Sequence, residues 1–172
     1  AEWFGSIDAA LARKLEYNLI VIEEDKHGLL MRNFDKQLLS VFNEVHYWER
    51  LHVEIPFVAM EIASQRDKYR VLCEHVLLVV RDYNKILEAL DAEERKLFHD
   101  RLAYLDRRIT PGVTKLTWTS GKTMLDFFVK EARKYCKEVE ATVDSYKAAN
   151  ERISANCKIM AETLLIIITK KK

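Results

Sequence analysis

Between positions 129 and 167, Val129, Ala132, Cys136, Val139, Val143, Tyr146, Asn150, Ile153, Cys157, Met160, Leu164 and Ile167 follow one another in steps of three and four. That spacing lays them on one stripe of an α-helix, so the C-terminal part of the chain is committed to a single long helix with one apolar seam. A strand would send alternate residues to opposite faces and scatter the seam. Asn150 is its one polar interruption, and a buried Asn in such a seam fixes register or partner number. The small and mixed seam residues Ala132, Cys136 and Tyr146 suit packing against unlike helices in a bundle better than a symmetric two-stranded coil.

The rest of the chain must supply what covers that seam. Only 4 Gly and 2 Pro occur in 172 residues, which leaves few turns and favours long helices. Tyr69, Cys73, Val76, Val80, Tyr83, Leu87 and Leu90 form one helical series, and Leu72, Val76, Val79, Tyr83, Ile86 and Leu90 form a second that overlaps it. Two overlapping seams make a broad apolar face with more than one neighbour. Asp35 is placed to cap a helix carrying Leu38, Leu39, Phe42, Val45 and Trp48. Pro56 fits the first turn of the next helix, which is expected to bend near Ser64. Asp91 caps a helix expected over 92 to about 108, with Glu93 and Glu94 favourable for its dipole. Residues 3–14 read as a short helix with Ser6 or Asp8 near its start.

The one strand signal lies at about 19–34. Apolar runs at 19–22 and 29–34 flank Asp25-Lys26-His27-Gly28, where Gly28 can take a positive φ, so a β-hairpin is expected. The fold class is therefore all-α, as elongated stacked helical bundles with one short hairpin near the N-terminus. The expected division is a bundle over 1–110, a packed elbow over 111–119, and a long helix over 120–172, started by Thr119 or Ser120, that begins the next bundle.

With 49% apolar and 32% charged residues, the composition is that of a folded domain. Lys+Arg 28 against Asp+Glu 27 gives a net charge of +1, which offers no broad attraction to nucleic acid or to anionic lipid. Cys73, Cys136 and Cys157 are odd in number, widely spaced and set in helical patterns, so a disulfide framework is not expected and a reducing compartment is. The apolar run 164–168 falls far short of the roughly 20 residues that span a bilayer. The chain starts without Met and ends on an apolar helix and three lysines, which reads as a fragment of something longer.

The usual short signatures for phosphate, dinucleotide or zinc-protease chemistry are absent. The sharpest metal candidate is Glu49-x-x-His52, since an ExxH pair places both ligands on one helix face in di-iron bundles. Such a site needs two ExxH helices, and the other match, Glu24-x-x-His27, falls in the expected hairpin turn. His46 and His52 lie on different faces of an ideal helix, and His75 is not on the face of Cys73. Cys136 and Cys157 sit in the apolar seam as small core residues. Lys170, Lys171 and Lys172 read as a solvated helix end. Trp3, Trp48 and Trp118 read as core, with a partner-facing anchor as the alternative. No catalytic, cofactor-binding or metal residue is assigned.

One stretch remains, "PGVTKLTWTS" at 111–120. A plain linker would be short and polar, but this one carries Val113, Leu116 and Trp118. It is expected to be an elbow in which Pro111 and Gly112 stop one helix and those three residues seat the loop on the core. With the elements before it, the stretch carries a resemblance. Asn33-Phe34-Asp35, Glu44-Val45-His46-Tyr47, Glu54-Ile55-Pro56, Tyr83-Asn84-Lys85-Ile86-Leu87 and Pro111 through Trp118 occur in the order of the corresponding motifs in the N-terminal tail of dynein heavy chains, with Val113 in place of the usual Leu. The likeness covers nearly the whole chain and is more similar to axonemal (ciliary) heavy chains than to the cytoplasmic transport form.

The resemblance implies a mechanical job. Such a tail joins its heavy chain to other heavy chains and to intermediate and light chains. In cilia it anchors the motor to the doublet microtubule through axonemal docking proteins. It implies no catalysis and no cofactor in this segment, because ATP binding and minus-end-directed walking belong to a distant ring and stalk. It also implies a place in the cytoplasm, cytoskeleton and ciliary axoneme, with no nucleic acid or membrane partner. Two other readings stand beside it. One is a free-standing helical adaptor that self-associates through the Asn150 seam, and the other is a metal-dependent bundle enzyme using Glu49 and His52.

Overall fold

The computed structural model describes residues 2–23 and 28–170, with side-chain surroundings for residues 5, 7–23 and 28–163. Among them, seven helices and one antiparallel hairpin follow in the order α1 (Glu2–Leu15), β1 (Ile20–Glu23), β2 (Leu29–Arg32), α2 (Lys36–Arg50), α3 (Phe57–Ser64), α4 (Arg66–Ala89), α5 (Ala92–Leu97), α6 (His99–Lys115) and α7 (Lys122–Lys170). Helix dominates the described residues, so the helical fold with one hairpin is what they build.

α4 lies at the centre. It packs along α7 on one side and against β2 on another, which is why it needs two overlapping seams. The series Leu72, Val76, Val79, Tyr83, Ile86 and Leu90 is buried throughout, while Cys73 and Val80 of the other are half-buried. α6 runs along α7 as well. On α7 the seam from Val129 through Val143 is buried, and Tyr146 is half-buried under Phe98, with ring centroids 5.4 Å apart.

The hairpin pairs Ile20 with Arg32 and Glu23 with Leu29. Gly28 has φ 79°, a conformation that suits glycine. The rest of the expected turn, with the Glu24-x-x-His27 match, lies outside the described residues. Two strands alone are marginal in water, and Asn84 of α4 supplies what a third strand would. Its Nδ2 donates to the Leu30 carbonyl and its Oδ1 accepts from the Leu30 N–H, both at 2.9 Å. At the other edge, the Leu19 N–H donates to the Leu116 carbonyl at 2.9 Å.

Asp35 caps α2 by accepting from the N–H groups of Gln37 and Leu38, and its carboxylate holds Lys14 of α1 at 2.9 Å. Asp8 does not start α1. It sits inside that helix and accepts from the Val58 N–H at 3.0 Å, capping α3 from a distance where Pro56 offers no side-chain acceptor. The bend near Ser64 is a break at Gln65 between α3 and α4. The helix expected over 92–108 comes as two. Asp91 and Glu94 form a reciprocal capping box at the start of α5, and the chain turns at Phe98, which is buried against α7.

The elbow differs most from expectation. Pro111 and Gly112 do not stop α6, which continues to Lys115. Pro111 forfeits one backbone bond, yet Gly112 lets α6 press onto α7. A Cβ at Gly112 would lie 2.0 Å from Cζ of Phe128, so only glycine permits this approach. Thr110 and Thr114 donate from their hydroxyls to the carbonyls of Asp106 and Thr110, settling as helix residues. Ser120 does not cap α7. Its hydroxyl accepts from the Thr117 N–H at 2.9 Å and closes the short loop before α7 begins at Lys122.

That loop is packed. Leu116 and Trp118 are each 1% exposed, and Val113 lies against the core from the last turn of α6. The Trp118 ring stands edge-on to Tyr69 at 5.5 Å and is tilted to Phe34 at 5.7 Å. It thus ties the loop before α7 to the hairpin exit and α4 in one cluster. Its Nε1 has no hydrogen-bond partner among the described residues.

Candidate functional site

Among the described residues, the side chains singled out in the sequence do not come together in one site. Glu49 and His52 do not share a helix face, because α2 ends at Arg50 and His52 takes φ 52°. The His52 N–H donates to the Glu49 carbonyl and the Val53 N–H to that of Trp48, the bonding of a helix end whose left-handed position normally falls to glycine. Among the described residues no group of three or more His, Cys, Asp or Glu side chains is placed to hold a metal. His46 is exposed on α2, and His75 Nδ1 lies 4.0 Å from an Asp126 carboxylate oxygen. Burial pushes the Cys136 thiol up to about 12 and the Cys73 thiol up to about 11, so neither is a thiolate at neutral pH. Cys157 is exposed rather than core. Trp48 is half-buried, and the side chains of Trp3 and Lys170, together with Lys171 and Lys172, lie outside the described residues.

The feature with consequences is α7 itself. Its apolar seam is covered by α4 and α6 as far as Val143 and Tyr146. Beyond that point every described residue from 148 to 163 is exposed. Asn150 is therefore not buried within this chain, and Ile153 and Met160 stand 61% and 66% exposed on the continuation of the same stripe. A helix of this length gains little in water without a partner on its apolar face.

The covered half of α7 is fixed in register by charges that flank the seam. Arg133 donates to Asp82 at 2.9 Å, Lys85 pairs with Glu140, and Lys147 lies 3.4 Å from Glu94. The α7 partners 133, 140 and 147 follow at intervals of one heptad, so each ion pair repeats the same relation to the seam. Asp82 also accepts from Arg81. Burial raises the Asp82 pKa, but the bonds from Arg133 and Arg81 outweigh it and hold the carboxyl below its ordinary value. Tyr83 crosses to α6, donating from its hydroxyl to Asp106 at 2.7 Å, and burial followed by that carboxylate raises its pKa. Exposed pairs add little stability, but mispairing them would put like charges together, so they choose one alignment of α4 and α5 on α7. Sequence reading missed these ties because a charged residue beside a seam looks like any solvated one. The heptad spacing of Arg133, Glu140 and Lys147 was the available signal.

Among the described residues no helix is long and apolar enough to cross a membrane. Residues 1–127 match the family described as dynein heavy chain, N-terminal region 1. The chain is 53% identical over 171 residues to the dynein-1-beta heavy chain of the flagellar inner arm I1 complex of Chlamydomonas reinhardtii. It is 40% identical over 171 residues to dynein axonemal heavy chain 2 of Mus musculus. Both alignments cover 99% of this chain and 4% of the relative, so the chain spans about 4% of the length of these relatives. Over 161 residues it is 32% identical to the ciliary dynein beta chain of Heliocidaris crassispina, covering 93% of this chain and 4% of that relative.

Proposed function

The chain belongs to the dynein heavy chains, within their N-terminal tail region, and on that footing we propose that it is a non-catalytic scaffold segment of an axonemal heavy chain. In this reading it supports association with other heavy chains, binds intermediate and light chains, and helps anchor the motor through docking proteins to the doublet microtubule of the ciliary axoneme. The parent would be an ATP-driven, minus-end-directed motor whose nucleotide sites lie outside this segment. The division into a first bundle, an elbow and a helix that opens the next bundle belongs to the same proposal, with the elbow reduced to the loop between Lys115 and Lys122.

The observation that carries it is the seam of α7, covered through Val143 and bare from Asn150 to Met160. One rigid helix shared by two consecutive packing units transmits position from one to the next without a hinge. The test is Ile153→Asp with Met160→Asp in the full-length heavy chain. Both side chains are exposed here, so melting of the 172-residue chain should stay the same. Recovery of intermediate and light chains with the purified heavy chain should fall. Undiminished recovery would reject the seam as the basis of the scaffold.

A further inference from the structure

Between the C-terminal half of α6 and the first turns of α7 lies a cleft of about 310 Å³. Its floor holds Gly112, Leu116 and Phe128, all buried. On its walls, Phe127 is 68% and Met124 44% exposed, and Pro111 is also exposed. Arg107, Arg108 and Lys115 stand exposed around it, against a single acid in its lining, Glu131. Arg108 is held in place, its guanidinium 4.7 Å from the Tyr135 ring and 5.2 Å from that of Tyr104.

We infer that this cleft is a docking surface for an acidic amphipathic helix of another subunit, with apolar side chains on Met124, Phe127 and Pro111 and carboxylates facing Arg107, Arg108 and Lys115. The inference rests on the scaffold reading above. The charge is one-sided, so a partner with carboxylates gains where a basic one is repelled. The composition separates it from the bare end of α7. There the seam is Ile153, Cys157 and Met160, and residues 148–163 hold no aromatic side chain. Here aromatic, Met and Arg side chains stand together, the set enriched where separate polypeptides meet. An exposed phenylalanine beside a glycine-floored cleft also has the form of an interface anchor, which needs a pocket on one side and a rim that excludes water.

The experiment is site-specific photocrosslinking in the assembled complex, with Phe127→p-benzoylphenylalanine in the full-length heavy chain and the joined peptides sequenced. The expected product joins position 127 to a different subunit, in a segment where Asp or Glu flank apolar residues at helical spacing. Arg107→Glu with Lys115→Glu should cut the yield about tenfold, or about 1.4 kcal/mol. Raising salt should lower the wild-type yield and raise that of the reversed variant, because in the variant it screens a repulsion. A product within the same heavy chain, a product with a second copy of this segment, a joined segment without carboxylates, no product, or a yield indifferent to charge reversal would each overturn the inference. The arms separate from the earlier test. Charge reversal leaves Ile153 and Met160 intact, so failure here leaves the scaffold reading standing, and a heavy chain indifferent to Ile153→Asp with Met160→Asp rejects that reading by itself.

Discussion

Gly112→Ala separates two physical effects of opposite sign at one residue. An alanine inside a helix is favoured over glycine by about 0.8–1.0 kcal/mol through backbone entropy. At Gly112 the new methyl would meet Phe128 at 2.0 Å from Cζ, 2.5 Å from Cε2 and 2.7 Å from Cε1. Carbon atoms at rest sit about 3.5–4.0 Å apart, so the ring must withdraw by more than an ångström. Either it strains in place, at about 1–3 kcal/mol for an overpacked core, or it swings toward the α6–α7 cleft and gives up about 1.5–3 kcal/mol of burial. The net expectation is destabilisation by up to about 2 kcal/mol, or a drop in Tm of up to roughly 8 °C for a chain of this size. Gly5 supplies the control, since it is exposed in α1 and its added Cβ meets nothing within 4 Å. Gly5→Ala should stabilise by about 0.5–1 kcal/mol. Thermal melts followed by circular dichroism read both. In a Phe128→Ala background the same Gly112→Ala change should become neutral or favourable. If Gly112→Ala raises Tm as Gly5→Ala does, the close approach of α6 and α7 is not what requires glycine, and the account of the helix running through Pro111 fails with it.

Trp118→Ala removes the ring that joins Phe34 and Tyr69, and should cost about 3–5 kcal/mol; unchanged melting would mean the loop is not packed. His52→Gly should stabilise by about 0.5–1 kcal/mol, because a non-glycine residue at φ 52° carries a steric cost that exceeds the entropy lost by glycine; a lower Tm would show that the His52 side chain is held there by something else. The Asp82 carboxyl has a depressed pKa in the folded chain, so its contribution is present above the ordinary carboxylate range and is lost as pH falls through the folded value. Denaturant titrations of wild type and Asp82→Asn should therefore differ at pH 6 and converge at the acid end, and a constant difference down to pH 2 would show that the Arg133 bond is not the cause.

Much of the fold was legible because helices announce themselves by period. The seams of α4 and α7, the caps at Asp35 and Asp91, and the strand runs around Gly28 are local patterns, each stating which way a short segment bends and which face it hides. The Trp118 loop was legible as packed for a similar reason, since Val113, Leu116 and Trp118 are too apolar for a solvated linker. Local signals failed where a distant segment decided. Asp8 looks like the start of its own helix but caps α3, because the acceptor that α3 lacks reaches it through space. Ser120 looks like a cap and instead closes the loop before α7.

Pro111-Gly112 is the sharpest instance. The pair is a strong stop signal by itself, and the cost of Pro111 is real, but the gain from laying α6 directly on Phe128 is a property of two helices and appears in neither. The same holds for Asn150. Its place in the seam is written in the sequence, and its exposure follows from how far α4 and α6 extend along α7. The chain by itself determined that there would be long helices with one hairpin and which face each would bury, because those are consequences of residue spacing. Only the tertiary structure decided where one helix gives out beside another, which glycine is a contact and which is a surface, and that α7 leaves the bundle with its seam bare, because these depend on distances between segments that no spacing along the chain records.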